Sequence, residues 1–320
     1  ADSMKLTDEQ IAITTASHHA EKFHQEIIKL IFKNNSMNPY IFILGTLQDG
    51  GFTYNSSQKK KCQHTFEKLK ISKKVSSIAI VDPASKQQWI VDASPDFKDQ
   101  LYSLQKQTSI SNLDGILLTH AHMGHYLGLV YLGKEAMNSE KIKVFCMNRM
   151  LNFLSNNGPW DQLIKNNNIS LSKIKENQNF ELNKAIKVIP FTVPHRDEYS
   201  ETVCFLIASK QKKLLYVPDI DKWKLWDKDI LQIIKSVDYA LIDGTFYDEN
   251  ELERDMSKIP HPFVEESMNL FNDLSAKEKG KIYFTHLNHT NPLLIENSFE
   301  QNEVRKNGFN IAKENLILEL

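Results

Sequence analysis

Residues 116–125 read Ile-Leu-Leu-Thr-His-Ala-His-Met-Gly-His and bring three histidines, His120, His122 and His125, into one short stretch. Neutral imidazole is the commonest protein ligand for zinc and related ions, so the first chemistry this spacing offers is metal binding. An apolar strand over Gly115–Thr119 would hold the start of the loop rigid. Alternate positions point the same way, so His120 and His122 are expected to converge on one ion while His125 faces elsewhere. Three imidazoles within six residues at the end of a buried strand argue against ordinary core or surface histidines. The run that follows, Tyr126-Leu-Gly-Leu-Val-Tyr-Leu-Gly133, predicts a buried helix opening directly after the loop.

Thr119-His-Ala-His-Met-Gly-His125 resembles the strand-end signature Thr-His-x-His-x-Asp-His of the metallo-β-lactamase-fold hydrolases. The resemblance implies ligands from three later strand ends, and the chain offers candidates in that order: His195 after Phe-Thr-Val-Pro, Asp219 after Leu-Leu-Tyr-Val-Pro, and His286 after Ile-Tyr-Phe-Thr. Each follows an apolar or β-branched run of strand length. The segments Leu44–Gly51, Ala240–Phe246 and Thr285–Pro292 are similar to the branch that includes pyrroloquinoline quinone biosynthesis protein B and the cyclic phosphodiesterases of phosphonate breakdown. The likeness runs from Tyr40 to the C-terminus and departs in two places. Gly124 stands where the family has Asp, and only Cys62 and His64 occur where cofactor-biosynthesis members carry several cysteines for a structural zinc. Two donors cannot close a tetrahedral site, so that second site is read as lost.

The fold implied by the resemblance is α/β, a four-layer αβ/βα sandwich. His120, His122 and His195 would form a three-His site with a fourth position for water, and a bound ion would bring the pKa of that water down from 15.7 to about 7. His125, His286 and a bridging Asp219 would form the second site. Without an Asp at 124 that site is one anion short, so one ion is expected to bind tightly and one weakly. Zinc is the expected cofactor, as one or two ions, with manganese and iron as the other ions such donors take. The function expected is a metal-dependent hydrolase using a metal-bound hydroxide, acting on a phosphodiester, cyclic phosphate or other small ester. The alternatives are an oxidative enzyme of quinone-cofactor maturation and a non-catalytic metal-binding protein, because one scaffold hosts many reactions.

Other polar residues carry two readings each. Asp49 is preferred as a turn-former before Gly50-Gly51, the alternative being that it supplies the carboxylate Gly124 lacks. His289, three residues after His286, is read as a catalytic proton donor beside Asp219, or else as a cap or surface residue. Asp243 is expected to orient a ligand imidazole, and His261, between prolines, either lines the pocket mouth or lies on the surface. Trp223 and Trp226 either wall the pocket or belong to the core.

These donors need rigid elements behind them. Strands are expected at 40–45, 75–81, 89–92, 143–147, 185–193, 202–208, 213–217, 239–243 and 281–285, with helices near 149–165, 227–235 and 262–274. Residues 7–33 predict a helix capped by Thr7, giving an N-terminal helical extension over 1–38 and a metallo-β-lactamase-fold domain over 39–320; His18, His19 and His24 on it are read as solvated or partner-facing. Residues 166–183, rich in Asn and Lys, predict an exposed loop and an edge strand rather than a linker. Of 320 residues 41% are hydrophobic and 25% charged, 39 basic against 40 acidic, so no bulk field points to nucleic acid or an anionic membrane, and the expected partner is a small-molecule substrate. No apolar run approaches a bilayer span and no secretory signal is evident, while the start Ala1-Asp-Ser-Met4 fits a processed or an appended end. The compartment stays open between cytoplasm and periplasm or exterior, as does the oligomeric state. Cys146 and Cys204 sit in apolar runs and are read as small core residues.

Overall fold

Strands that are apolar at every position, such as Ile78-Ala-Ile-Val81, need cover on both faces. The computed structural model describes residues 38–52 and 73–320 and supplies that cover with two sheets packed face to face and helices outside each. The helix expected over 7–33, His18, His19, His24, Cys62 and His64 all lie outside the described residues. The first sheet contains β1 (Tyr40–Gly45), β2 (Ser77–Asp82), β3 (Gln87–Val91), β4 (Gly115–Leu117), β5 (Ile142–Cys146) and β6 (Ile169–Lys173). The second contains β7 (Phe180–Glu181), β8 (Lys187–Thr192), β9 (Val203–Ala208), β10 (Lys213–Val217), β11 (Tyr239–Asp243), β12 (Ile282–Thr285) and β13 (Asn310–Ile311). The last strand, β14 (Ile317–Glu319), returns to the first sheet beside β1, so each sheet has seven strands.

Period-two alternation sorts the apolar side chains into layers. Ile41, Ile43, Ile78, Ile80, Trp89 and Leu117 meet Val203, Phe205, Ile207, Leu214, Tyr216 and Leu241 between the sheets. The alternate residues Phe42, Ala79, Ile90 and Ile116 face helices Phe97–Thr108 and Asn148–Asn156. On the far side Cys204, Leu215, Val217, Ala240 and Ile242 face helices Ile230–Ser236, Val264–Leu270 and Phe299–Lys306. Cys146 and Cys204 are fully buried in the outer layers, as expected.

Strand direction decides where the chemistry gathers. β1 and β3 are each antiparallel to β2, and β3 is parallel to β4, so β1, β3 and β4 end on one edge. By the same count β8, β10, β11 and β12 end together in the second sheet. The ends of six of these seven strands carry the candidate donors, and the segment after β3 carries Asp92.

The expected strands fall close to their places, β13 and β14 have no expected counterpart, and three further local details differ. The single helix expected over 149–165 is two, Asn148–Asn156 and Trp160–Lys165, because Gly158-Pro159 interrupts the backbone ladder. The helix expected after the histidine loop is one turn, Met123–Tyr126, followed by a 3₁₀ segment Leu127–Leu132. Residues 166–183 do not form one edge strand with a loop. They contribute β6 to the edge of the first sheet and β7 to the edge of the second, and so carry the chain between the sheets. Among the described residues no helix is long and apolar enough to cross a membrane.

Phe205 lies wholly in the layer between the sheets. Phe205→Ala is therefore expected to lower unfolding free energy by about 3–5 kcal/mol, whereas Tyr102→Ala on the exposed face changes it by no more than about 0.5 kcal/mol. Urea denaturation of both variants checks this.

Candidate metal centre

The C-terminal strand ends deliver their donors to one buried spot. His120, His122 and His125 arrive after β4, His195 after β8, Asp219 after β10, and His286 after β12. His120, His122, His195 and Asp219 form one group whose ligand atoms lie within 4.8 Å of one another, and Asp49, His125, Asp219 and His286 form a second. All six metal ligands expected from the sequence are brought together. His125, expected to face away from His120 and His122, does so by joining the second group. Asp219 stands between the two, Oδ2 being 3.3 Å from His120 Nε2 and 3.5 Å from both His125 Nε2 and His286 Nε2, while Oδ1 is 3.3 Å from His195 Nε2.

An outer ring of oxygen atoms fixes each imidazole. Asp92 Oδ2 is 2.7 Å from His125 Nδ1, Asp221 Oδ1 is 2.9 Å from His195 Nδ1, and Glu198 Oε2 is 3.2 Å from His122 Nε2. Thr245 Oγ1 donates to Asp243 Oδ1 and so accepts from His286 Nδ1 at 3.0 Å. Thr119 Oγ1 donates to Asp92 and likewise accepts from His120 Nδ1, also at 3.0 Å. In every case the outward nitrogen is the donor, so the inward nitrogen presents a lone pair. Two such nitrogens, His120 Nε2 and His122 Nδ1, stand 2.9 Å apart.

Buried polar atoms are normally paired, yet His125 Nε2, His195 Nε2, His286 Nε2, Asp49 Oδ1 and both oxygens of Asp219 are buried here with no hydrogen-bond partner. All six point into one space and all are acceptors in the tautomers just derived. A cation is the species that satisfies such a set, and imidazole with carboxylate suits zinc, iron or manganese.

The electrostatics agree. Burial alone would raise Asp219, but the surrounding imidazoles, His195 and His286 foremost, hold it well below the usual carboxylate range. Burial would lower His125, but Asp92, Asp219 and Asp49 overcome it and hold it well above the ordinary value, the mark of a negative field that a cation would meet. His120 is held well below its ordinary value by burial and by the charge of His125.

Backbone geometry is strained at two of these positions. Asp92 and His286 adopt φ of 67° and 60°, in the left-handed region that a residue with a Cβ enters at a cost of about 1–2 kcal/mol. Hydrogen bonds clamp both, from Thr119 N to Asp92 Oδ1 and from Leu287 N to Thr46 O beside His286.

His261 and Asp243 form a third group with Asp219. His261 is buried rather than on the surface, and its Nδ1 lies 2.8 Å from Asp243 Oδ2 and 3.3 Å from Asp219 Oδ1. Burial would lower it, but Asp243 and Asp219 hold it up at about 9. Asp243 thus supports His261 directly and His286 through Thr245. His289 is half-buried and belongs to none of the three groups. Trp223 and Trp226 serve the outer core, their indoles donating to Ser267 Oγ and Thr192 O. Asp49 keeps its turn, with Gly51 N donating to Gln48 O, and also aims Oδ1 at His125 Nε2 from 3.1 Å. The second group therefore holds two carboxylates, so the premise that it is one anion short is not met.

Asp92, Asp221 and Glu198 are functional residues that sequence reasoning missed. Asp92 had a readable signal, an acid directly after an apolar strand, the same signal that marked Asp219. Asp221 and Glu198 have none, since only the fold of their loops sets them behind His195 and His122.

A family model described as the beta-lactamase superfamily domain matches residues 88–287, and the chain belongs to that family. Its architecture is the metallo-β-lactamase fold, two mixed sheets in an α/β sandwich, and the family is one of metal-dependent hydrolases. The chain is 28% identical over 318 residues to coenzyme PQQ synthesis protein B of Acinetobacter baumannii, covering 88% of this chain and all of that one. It superposes on zinc-bound PqqB from Methylobacterium extorquens with a TM-score of 0.72 at 24% identity, over 88% of this chain and all of the other. A diphosphatase of the PhnP family follows with a TM-score of 0.60 at 18% identity, over 88% of this chain and 97% of that one.

Two measurements follow from the site. Asp92→Asn leaves His125 in place but removes the carboxylate that sets its tautomer, so metal affinity should drop about 10–100-fold, read by competition against a chromogenic chelator. Glu251, which accepts hydrogen bonds from Thr290 and Tyr247, is pushed by burial from 4.5 up to about 7. A folded pKa above the unfolded one gives stability that is complete below the lower value and lost as pH rises through the upper. Between about pH 4.5 and pH 8 the protein should therefore lose up to about 3 kcal/mol that Glu251→Gln retains, seen as a narrowing Tm difference between the two as pH falls.

Proposed function

We propose that the protein is a metal-dependent hydrolase of a phosphodiester, cyclic phosphate or other small ester, with zinc held by His120, His122, His195 and Asp219 and by Asp49, His125, His286 and Asp219. The observation that carries this is the set of buried, unpaired acceptors converging from both sheets on Asp219. Zinc in such a setting acts as a Lewis acid on a phosphoryl oxygen and makes hydroxide available from water near neutral pH. The residues do the rest. Asp49 and His122 are the more exposed members, at 21% and 14%, so substrate approaches from their side. Asp219 takes no other hydrogen bond and keeps both oxygens for its role between the two groups.

His261 is the proton donor in this reading. Its Nδ1 is committed to Asp243, which leaves Nε2 to carry the proton for the leaving oxygen. General acid catalysis of this kind contributes about a hundredfold to ten-thousandfold. His289, the donor implied by the resemblance, remains a candidate on the loop after β12.

A second reading, a part in coenzyme PQQ synthesis with oxidative chemistry on iron, is favoured by the similarity to PQQ synthesis protein B along the whole of that chain. The same His and carboxylate donors suit iron.

The leaving group separates these readings. His261→Asn should slow hydrolysis of a cyclic nucleotide, whose alkoxide needs a proton, by about a hundredfold or more, and that of bis(p-nitrophenyl) phosphate far less, with metal content unchanged. His289→Ala run in parallel assigns the donor between the two histidines. No ester turnover by zinc, manganese or iron forms above the His120→Ala background, together with dioxygen uptake by the iron form, would favour the oxidative reading.

A further inference from the structure

Gly124 interrupts a signature that otherwise places a carboxylate between His122 and His125, and it does so inside a helical turn where glycine has no conformational purpose. The reason is steric. A Cβ built on Gly124 would stand 2.5 Å from Asp49 Cα and 2.5 Å from Asp49 Oδ1, far inside the 3.5–4.0 Å at which carbon atoms meet. The space a side chain at 124 would use is filled by the backbone and carboxylate of Asp49, which arrives from the other end of the first sheet's sequence.

We propose that the second-site carboxylate has been relocated from position 124 to Asp49, and that the backbone and carboxylate of Asp49 together leave room at 124 for glycine alone. The proposal rests on reading the site as a two-ion hydrolase centre. Asp49 Oδ1 is buried without a partner, 3.1 Å from His125 Nε2 and 4.0 Å from His286 Nε2. Its loop cannot simply withdraw. Gln48 N donates to Leu287 O at 2.9 Å, Leu287 N to Thr46 O at 2.7 Å, and Ser76 N to Leu47 O at 2.7 Å. Leu47 bridges both Val75 and Leu287, and Asn288 Nδ2 holds the Gln48 side chain. The ends of β1 and β12 are thus stitched together, and Asp49 and His286 are positioned as one unit. A carboxylate entering from β1 gives the second ion the same ligand count as one entering at 124.

The test compares single and paired variants by bound zinc per chain, zinc calorimetry and Tm, all with the whole chain. Asp49→Asn, nearly isosteric, should weaken one of two zinc ions by more than the roughly 10–100-fold that loss of an outer hydrogen-bond partner costs, and spare the other. Gly124→Asp alone should lower Tm and bind the second ion worse, not better. Asp49→Gly/Gly124→Asp should restore neither Tm over Gly124→Asp nor second-ion affinity over Asp49→Gly, because Asp49 Cα, 2.5 Å from a Cβ at 124, stays in place. Should Gly124→Asp fail to fold, Gly124→Ala and its pair with Asp49→Gly give the same comparison with one methyl group. Both ions retained in Asp49→Asn, or a Gly124→Asp protein with unchanged Tm and tighter zinc, would overturn the proposal. A protein that loses one zinc in Asp49→Asn but hydrolyses no ester keeps the relocated ligand and loses the hydrolase reading; one that hydrolyses esters with both ions held in Asp49→Asn does the reverse.

Discussion

The burial of Asp219 is the constraint on which the rest of the site depends. Its side chain is 1% exposed, and neither oxygen has a hydrogen-bond donor from the backbone or a hydroxyl. An ionised carboxylate in that position costs several kcal/mol unless positive charge surrounds it. His120, His125, His195, His261 and His286 all stand within 3.5 Å of its oxygens, yet burial holds His120 and His286 below their ordinary values. Asp92 and Asp219 hold His125 above its ordinary value, and Asp243 and Asp219 do the same for His261, so the field at this spot is negative. Ions in the two groups would answer it, which is why the donor set fits metal and fits little else.

Neutral imidazoles can serve only if the correct nitrogen faces inward, and that choice is made from outside. Asp92, Asp221, Glu198, Thr119 and Thr245 each take the outward N–H. Asp92 acts twice, on His125 directly and on His120 through Thr119, and Asp243 does the same for His261 and, through Thr245, His286. The two halves of the molecule therefore have matching arrangements, a strand-end Asp behind a threonine behind a histidine. Nothing in the sequence displays this symmetry.

The sandwich makes the arrangement possible. Both sheets are covered on both faces by apolar side chains, so the strands are held rigidly and their ends are precise platforms. Left-handed backbone at Asp92 and His286 is tolerated because the neighbouring strands tie those turns down. The helical layers do the less exacting work of cover.

The sequence by itself determined the candidate donors and most of the elements. Apolar runs with turn signals marked the longer strands of both sheets, though not β13 or β14, because hydrophobic periodicity is a local property. His120, His122, His125, His195, Asp219 and His286 were legible because each follows such a run, and a strand end is where a sheet exposes a side chain. Tertiary structure alone decided what depends on two distant segments meeting. Asp49 read as a turn residue because its local signal is a turn, and only the stitching of β1 to the end of β12 points its carboxylate at His125. Gly124 read as a lost ligand, and only the approach of Asp49 shows it as filled space. Glu198 and Asp221 acquired their roles from loop paths that no local pattern encodes, and the chain at 166–183 became a crossover because its two short strands pair in different sheets. Local sequence specifies periodicity and donor type, whereas which donors share a space follows from strand order and direction, and those are set by the packing of the whole chain.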